Sequence, residues 1–323
     1  MGASMAECAR QVDLDLPRTF PANARAAAAA PALRRVLLAF AAHAPDVGYC
    51  QSMNYVAALL VLACQAGEEG GAGGGGGGGG AAAAAPPSPG AEEAAFWLLV
   101  ALIDDKGGGE RGGGLVEGGG ARPTPPSPPL PPAGILYHGM YGSDLAGCHV
   151  ELRSLGALVS SKLPRVGRHL AATGTEMSLL ATDWFLCLFC TSLPAEVGSG
   201  EKGWGWRAGE GAAISLPAPT PFFSQTAARV WDVLFVEGPK VLFRVALAVL
   251  KRGQRSLLAA PNAGGVMHAA RAAAAAEHDA DALLGVAFRG LGSLPMAAVD
   301  AARARWQAVV DGELAGRRAR RLG

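Results

Sequence analysis

The 323-residue sequence predicts an all-α fold, a multi-helix bundle carrying disordered low-complexity insertions, and three observations carry that prediction. Half of the residues are apolar and 17% are charged, enough for a sizeable buried core. The apolar runs carry helix start and stop signals, and no stretch alternates apolar and polar residues over strand length. Three segments bury too little apolar surface to offset the entropy of ordering them.

The elements follow in order. Residues 46–64 read as a turn entering an apolar helix. Glu92 and Glu93 open a second helix, setting acids at the positive end of its dipole before Phe96-Trp97-Leu98-Leu99-Val100. Thr173-Gly174-Thr175-Glu176 has capping-box spacing ahead of a helix over 177–189. Thr226 is placed to cap a helix that runs to Glu237, where Gly238 ends it. Pro239 suits the first turn of the next helix, 240–250. Trp97, Trp184 and Trp231, each among apolar neighbours, are predicted core residues.

The insertions are 67–90, 107–134 and 198–225, each passing from glycine-rich to proline-bearing sequence. Setting them aside leaves roughly 240 residues, the size of one domain. The expected organisation is therefore a single domain over 1–312, interrupted three times, with a basic tail over 313–323. The ends of the third insertion suit a retained intron as well as an authentic loop. Loop-closure cost rises only slowly with length, so either fits the fold.

Several functions are disfavoured. A formal charge of +1 gives no global case for nucleic acid. The local exception is Arg317, Arg318, Arg320 and Arg321, read as a solvated end or a weak attraction to anionic membrane. The apolar runs are too short to span a bilayer, so membrane association is at most peripheral. Cys8, Cys50, Cys64, Cys148, Cys187 and Cys190 sit mostly in apolar runs, as reduced cytosolic core thiols do. Cys187 and Cys190 form a CxxC, but its apolar flanks read as a buried helix and no second ligand pair accompanies it. No metal ligand set is predicted.

Two stretches combine polar groups with rigid surroundings. In Val12-Asp13-Leu14-Asp15-Leu16-Pro17-Arg18-Thr19-Phe20-Pro21, two prolines restrain the backbone around Arg18. A guanidinium held there is pre-organised for bidentate recognition of a phosphate. The alternative is an ion pair of Arg18 with Asp15 or Asp13 that only tethers the segment. In Val47-Gly48-Tyr49-Cys50-Gln51-Ser52-Met53-Asn54, Gln51 and Asn54 are three apart, neighbours on one face at a helix start. A helix N-terminus favours negative charge, so an amide there is placed to face a phosphate and its attacking water. The alternative is that both side chains merely cap the turn.

Together the two stretches resemble, in order and spelling, the IxxDxxRTFP and GYCQGMN motifs of the TBC domain, a Rab GTPase-activating fold. Glu92 to Leu99, Ser178 to Leu186, Arg229 to Asp232, Phe243-Arg244, and Asp281 to Leu294 continue the resemblance along the chain. It implies that Arg18 is an arginine finger and Gln51 a glutamine finger, both entering the site of a GTP-loaded Rab-type GTPase. Asp15, Tyr49 and Asn54 would support them. Ser52 stands where the family commonly has glycine. The resemblance implies no cofactor on this chain, since GTP and Mg²⁺ belong to the GTPase. It also implies a role in vesicle trafficking from the cytoplasm, with recruitment to endomembranes through the GTPase. The competing readings are a non-catalytic Rab-binding adaptor and a helical scaffold with no GTPase partner.

Overall fold

A computed structural model describes residues 4–71, 86–104, 134–194 and 225–322. Among the described residues there are thirteen α-helices and no strand, as the sequence predicts. The first four are α1 (Met5–Asp15), α2 (Ala24–His43), α3 (Met53–Gly71) and α4 (Pro89–Ile103), with a 3-10 turn over Leu16–Arg18. Next come α5 (Ala146–Lys162), α6 (Pro164–Ala172) and α7 (Met177–Leu186). The rest are α8 (Gln225–Glu237), α9 (Lys240–Arg252), α10 (Gln254–Ala259), α11 (Ala263–Ala275), α12 (Ala280–Gly285) and α13 (Met296–Leu322). A π-turn over Val286–Gly290 follows α12.

The helices pack in two groups over one continuous core. In the first, α2, α3 and α4 pack on one another and α1 lies on α2. In the second, α9 is the centre: every residue from Val241 to Leu250 is buried, and α7, α8, α10, α11 and α12 pack around it. Arg244 is the charged member of that stretch. Its guanidinium donates to the carbonyls of Ala287 at 2.9 Å and Leu294 at 3.2 Å, and stacks over Phe288. Buried backbone acceptors in the π-turn and the loop after it thus take donors from a helix core, where a lost partner is costly. Helix α5 packs on α6, α7, α9 and α13.

Several local expectations are revised. Helix α4 starts at Pro89, three residues ahead of Glu92, because the Ser88 hydroxyl accepts from the Ala91 amide at 3.0 Å. Thr173 does not cap α7; its hydroxyl donates back to the His169 carbonyl and closes α6. Thr226 is no cap either, since α8 begins at Gln225 and the buried Thr226 hydroxyl donates to the Glu277 carbonyl at 2.8 Å. Gly238 does end α8, at φ +79°. The CxxC lies beyond the helix: α7 ends at Leu186, and Leu188 and Phe189 take φ of 47° and 66°. The indole of Trp231 donates to the Leu188 carbonyl at 2.8 Å and ties that turn to α8.

Trp184 and Trp231 are core residues, but Trp97 is 52% exposed. From Ala94 onward helix α4 is apolar on every side, so that part of its sequence carries no stripe that distinguishes inside from outside. Its buried positions are Ala91, Ala95, Leu99, Val100, Leu102 and Ile103, and Trp97 rests edge-on against Phe96 and His43 on another face.

Most of 67–90, 107–134 and 198–225 lies outside the described residues. Their described ends belong to the frame: α3 runs to Gly71, α4 begins at Pro89, and Gln225 opens α8. Gly134 donates to the Asp104 carbonyl at 2.8 Å. The tail predicted over 313–323 is, as far as Leu322, the end of α13. Its Glu313 pairs with Arg153 of α5 at 2.6 Å, and Arg318 pairs with Asp144.

Candidate functional site

The site forms where the end of α1 meets the start of α3. Helix α1 gives way at Asp15 to the 3-10 turn, with Pro17 in its first turn and Arg18 as its last residue. Phe20 then takes φ +45°, a left-handed conformation unusual for an aromatic residue and strained before Pro21. The second segment leaves α2 through a turn closed by the Gly48 amide on the Ala44 carbonyl at 2.8 Å. Gly48 takes φ +65° beside Cys8, where a side chain would be strained. Gln51 and Ser52 form the last turn before α3, and Ser52 takes φ +89°.

Three hydrogen bonds join the segments. The Tyr49 hydroxyl donates to Asp15 Oδ2 at 2.8 Å. Asn54 Nδ2 donates to Thr19 Oγ1 at 2.7 Å, and that hydroxyl donates on to the Asp15 carbonyl at 2.9 Å. The Tyr55 hydroxyl donates to the Arg18 carbonyl at 3.2 Å. Asn54 also accepts the Ser52 amide on Oδ1 at 3.1 Å, so one buried carboxamide braces both loops. Burial, and then the Asp15 carboxylate, push the Tyr49 phenol far above its ordinary value. It remains a donor at any physiological pH.

This arrangement answers the alternatives left open by the sequence. Asp13 pairs with Arg34 of α2 at 2.6 Å and Asp15 receives Tyr49, so neither takes Arg18. Arg18 is exposed, and its guanidinium has no hydrogen-bond or ion-pair partner among the described residues. The Gln51 carboxamide is likewise exposed and without a partner there. Gln51 and Asn54 do not share a helix face as predicted. Gln51 lies ahead of α3 and turns outward, whereas Asn54 is inside the first turn and buried. Asp15 holds the backbone of the Arg18 segment and leaves the guanidinium alone.

The chain's sequence matches the profile described as the Rab-GTPase-TBC domain over residues 2–108 and 134–199, more than half of its length. The chain belongs to this family. It is 27% identical over 310 residues to TBC1 domain family member 2A of Mus musculus, covering 95% of this chain and 25% of that protein. It is 28% identical over 251 residues to the human Growth hormone-regulated TBC protein 1, covering 76% of this chain and 50% of that one. It thus spans half or less of these relatives. A crystal structure of the Chlamydomonas flagellar RabGAP TBC domain superposes with a TM-score of 0.54 at 31% identity, covering 88% of this chain and 68% of that chain.

Within this TBC domain, sequence reasoning passed over Thr19 and Tyr55. Thr19 stood inside a quoted motif with no role, and Tyr55 was read as the start of an apolar helix. The available signal was polarity: each is a hydroxyl in an otherwise apolar setting, which demands a partner. The sequence marks Ser52 only as standing where the family commonly has glycine. The structure places its consequence in the backbone, since φ +89° favours glycine. Ser52→Gly is expected to raise unfolding stability by about 1 kcal/mol, read as a higher urea midpoint. The thiol–hydroxyl contact that Ser52 makes with Cys187 is weak and offsets little of this. An unchanged or lower midpoint would show that the turn is not strained.

The thiols near the site are poor nucleophiles. Cys50 donates to the Gln51 carbonyl at 3.3 Å, and burial pushes its thiol up to about 11. Burial also raises Cys187 and Cys190. These cysteines are protonated at neutral pH and act as small apolar packing groups.

Proposed function

We propose that this domain accelerates GTP hydrolysis by a Rab-type small GTPase, supplying Arg18 and Gln51 in trans to the GTP-bound form. The single observation that carries the reading is the contrast between the two side chains and their supports. Both are exposed and uncommitted, whereas the loops that bear them are joined by three hydrogen bonds. Phosphoryl transfer is catalysed chiefly by positioning and by charge stabilisation, with little covalent work for the protein. A guanidinium neutralises charge developing on the transferred phosphoryl group, and a carboxamide orients the attacking water. Nucleotide and Mg²⁺ reside on the GTPase, so this chain binds no cofactor for the step.

Among the described residues no helix is long and apolar enough to cross a membrane. Delivery to an endomembrane, and with it a part in vesicle trafficking, then comes through the GTPase. The test is single-turnover GTP hydrolysis by a panel of Rab proteins with wild-type chain, Arg18→Ala and Gln51→Ala. An adaptor would bind a GTP-loaded Rab without raising its rate, and a scaffold would do neither. Either outcome would overturn the proposal.

A further inference from the structure

The Arg18 side chain makes no hydrogen bond or ion pair among the described residues, so its aim is set chiefly by its backbone. The restraints on that backbone are countable. The Thr19 amide donates to the Leu16 carbonyl at 3.1 Å, which closes the 3-10 turn and holds one edge of the Arg18–Thr19 peptide. At the opposite edge of that peptide the Arg18 carbonyl receives one side chain, the Tyr55 hydroxyl, at 3.2 Å. Fixing a carbonyl direction fixes ψ of that residue, and with it the direction of the Cα–Cβ bond from which the guanidinium swings. Tyr55 projects from the first turn of α3, three residues past the Ser52 turn, so the element that follows Gln51 also sets Arg18.

The phenol is itself held. The Phe20 ring meets the Tyr55 ring edge-on, with centroids 5.3 Å apart and planes at 77°. Edge-to-face pairs of this kind are favourable beyond the area they bury. Phe20 makes it from a left-handed φ of 45°. Strained conformations of this kind persist where the surroundings over-determine them. Arg18 is thus spanned by a clasp: its carbonyl bonds Tyr55, and Tyr55 packs on Phe20 two residues further along. Burial raises the Tyr55 phenol, which keeps it a donor at neutral pH.

We infer that Tyr55 is a positioning residue for the Arg18 guanidinium, acting through the Arg18 carbonyl and braced by Phe20. The inference rests on the proposed GTPase-activating reading. Misplacing a catalytic group by about 1 Å costs up to about 100-fold in rate. Losing one of several backbone restraints is expected to cost about tenfold.

The test uses Tyr55→Phe, which keeps the ring and its contact with Phe20 and removes only the hydroxyl. With a responsive GTP-loaded Rab at saturating chain, the single-turnover rate is expected to fall about tenfold while the half-saturating concentration stays put. In an Arg18→Ala background the same change is expected to have no further effect, as required if the two act as a unit. Backbone ¹⁵N relaxation of the chain alone gives a readout independent of activity: order at Arg18 and Thr19 is expected to drop in Tyr55→Phe. Unchanged order, an unchanged rate, or an equal loss in the Arg18→Ala background would overturn the inference. If wild-type chain activates no Rab, the proposed function fails, and the relaxation data still decide whether Tyr55 holds Arg18.

Discussion

Replacing Arg18 by alanine is expected to lower the single-turnover rate of a responsive GTPase by about 10³–10⁵, the effect typical of arginine fingers. At about 1.4 kcal/mol per decade this is roughly 4–7 kcal/mol of barrier. The fold should be untouched, because the Arg18 side chain is exposed and bonds nothing among the described residues, and surface changes of that kind stay within about 0.5 kcal/mol. Arg18→Lys should recover little, since an ammonium keeps the charge and loses the planar fork that reaches two oxygens. Gln51→Ala should also lose most of the rate with an unchanged melting temperature. The measurement pairs hydrolysis with thermal unfolding for each variant. A rate that survives both substitutions would end the dual-finger reading, and a rate lost together with the fold would leave the residues structural.

The largest stability effect is expected far from that site, where α13 packs on α5. Arg303 is 6% exposed and its Nε donates to Glu151, 2% exposed, at 2.6 Å. The guanidinium also reaches Asp300 at 3.2 Å and lies over the Tyr137 ring at 4.5 Å, while its Nη2 is buried without a partner. Removing one member of such a pair strands a buried charge, so Glu151→Ala is expected to cost about 3–5 kcal/mol. Replacing both by apolar residues of similar volume, Glu151→Leu with Arg303→Met, should recover most of that loss. Chemical denaturation of the three proteins decides it; a small loss in Glu151→Ala would mean that water reaches the pair. The same carboxyl gives a pH signature. Burial pushes Glu151 up to about 7, outweighing the pull of Arg303, from an ordinary 4.5. Between those values the folded state holds more protons than the unfolded state, so this group's contribution to stability falls as pH rises from about 4.5 to 7. Glu151→Gln should flatten that part of the profile.

How much of this was legible in the sequence depends on where the deciding force acts. Apolar spacing and glycine stops acted locally, and they placed α3, α4, α7, α8 and α9 approximately, with Gly238 at φ +79° ending α8 as read, whereas α5 and α6 went unread. Capping was less legible, because Thr173 and Thr226 carry hydroxyls that found carbonyls elsewhere in the fold. Trp97 was misplaced for a related reason: a helix apolar all round gives no vector. At the site, the identities of Asp15, Tyr49 and Asn54 were readable from their motifs. Their partners were not, since each bond spans some thirty positions of chain and only tertiary packing closes it. The strain at Ser52 had a sequence signal, a residue standing where glycine is common. The sequence does not say that the cost lies in φ.

Gly134 and Asp104 have a consequence for how the chain tolerates change in length. The amide of one bonds the carbonyl of the other, and the next two amides continue the pattern, Ile135 to Ala101 and Leu136 to Leu102. A Cβ at Gly134 would sit 3.0 Å from the Asp104 carbonyl oxygen, so the backbone segments on either side of 105–133 meet at a point that leaves little room for a side chain. A junction stitched this tightly sets the spacing of its two flanks by itself. Whatever number of residues is spliced between them, the distance from the end of α4 to Gly134 is already decided, and a bridge of about two residues would serve the frame as well as twenty-nine.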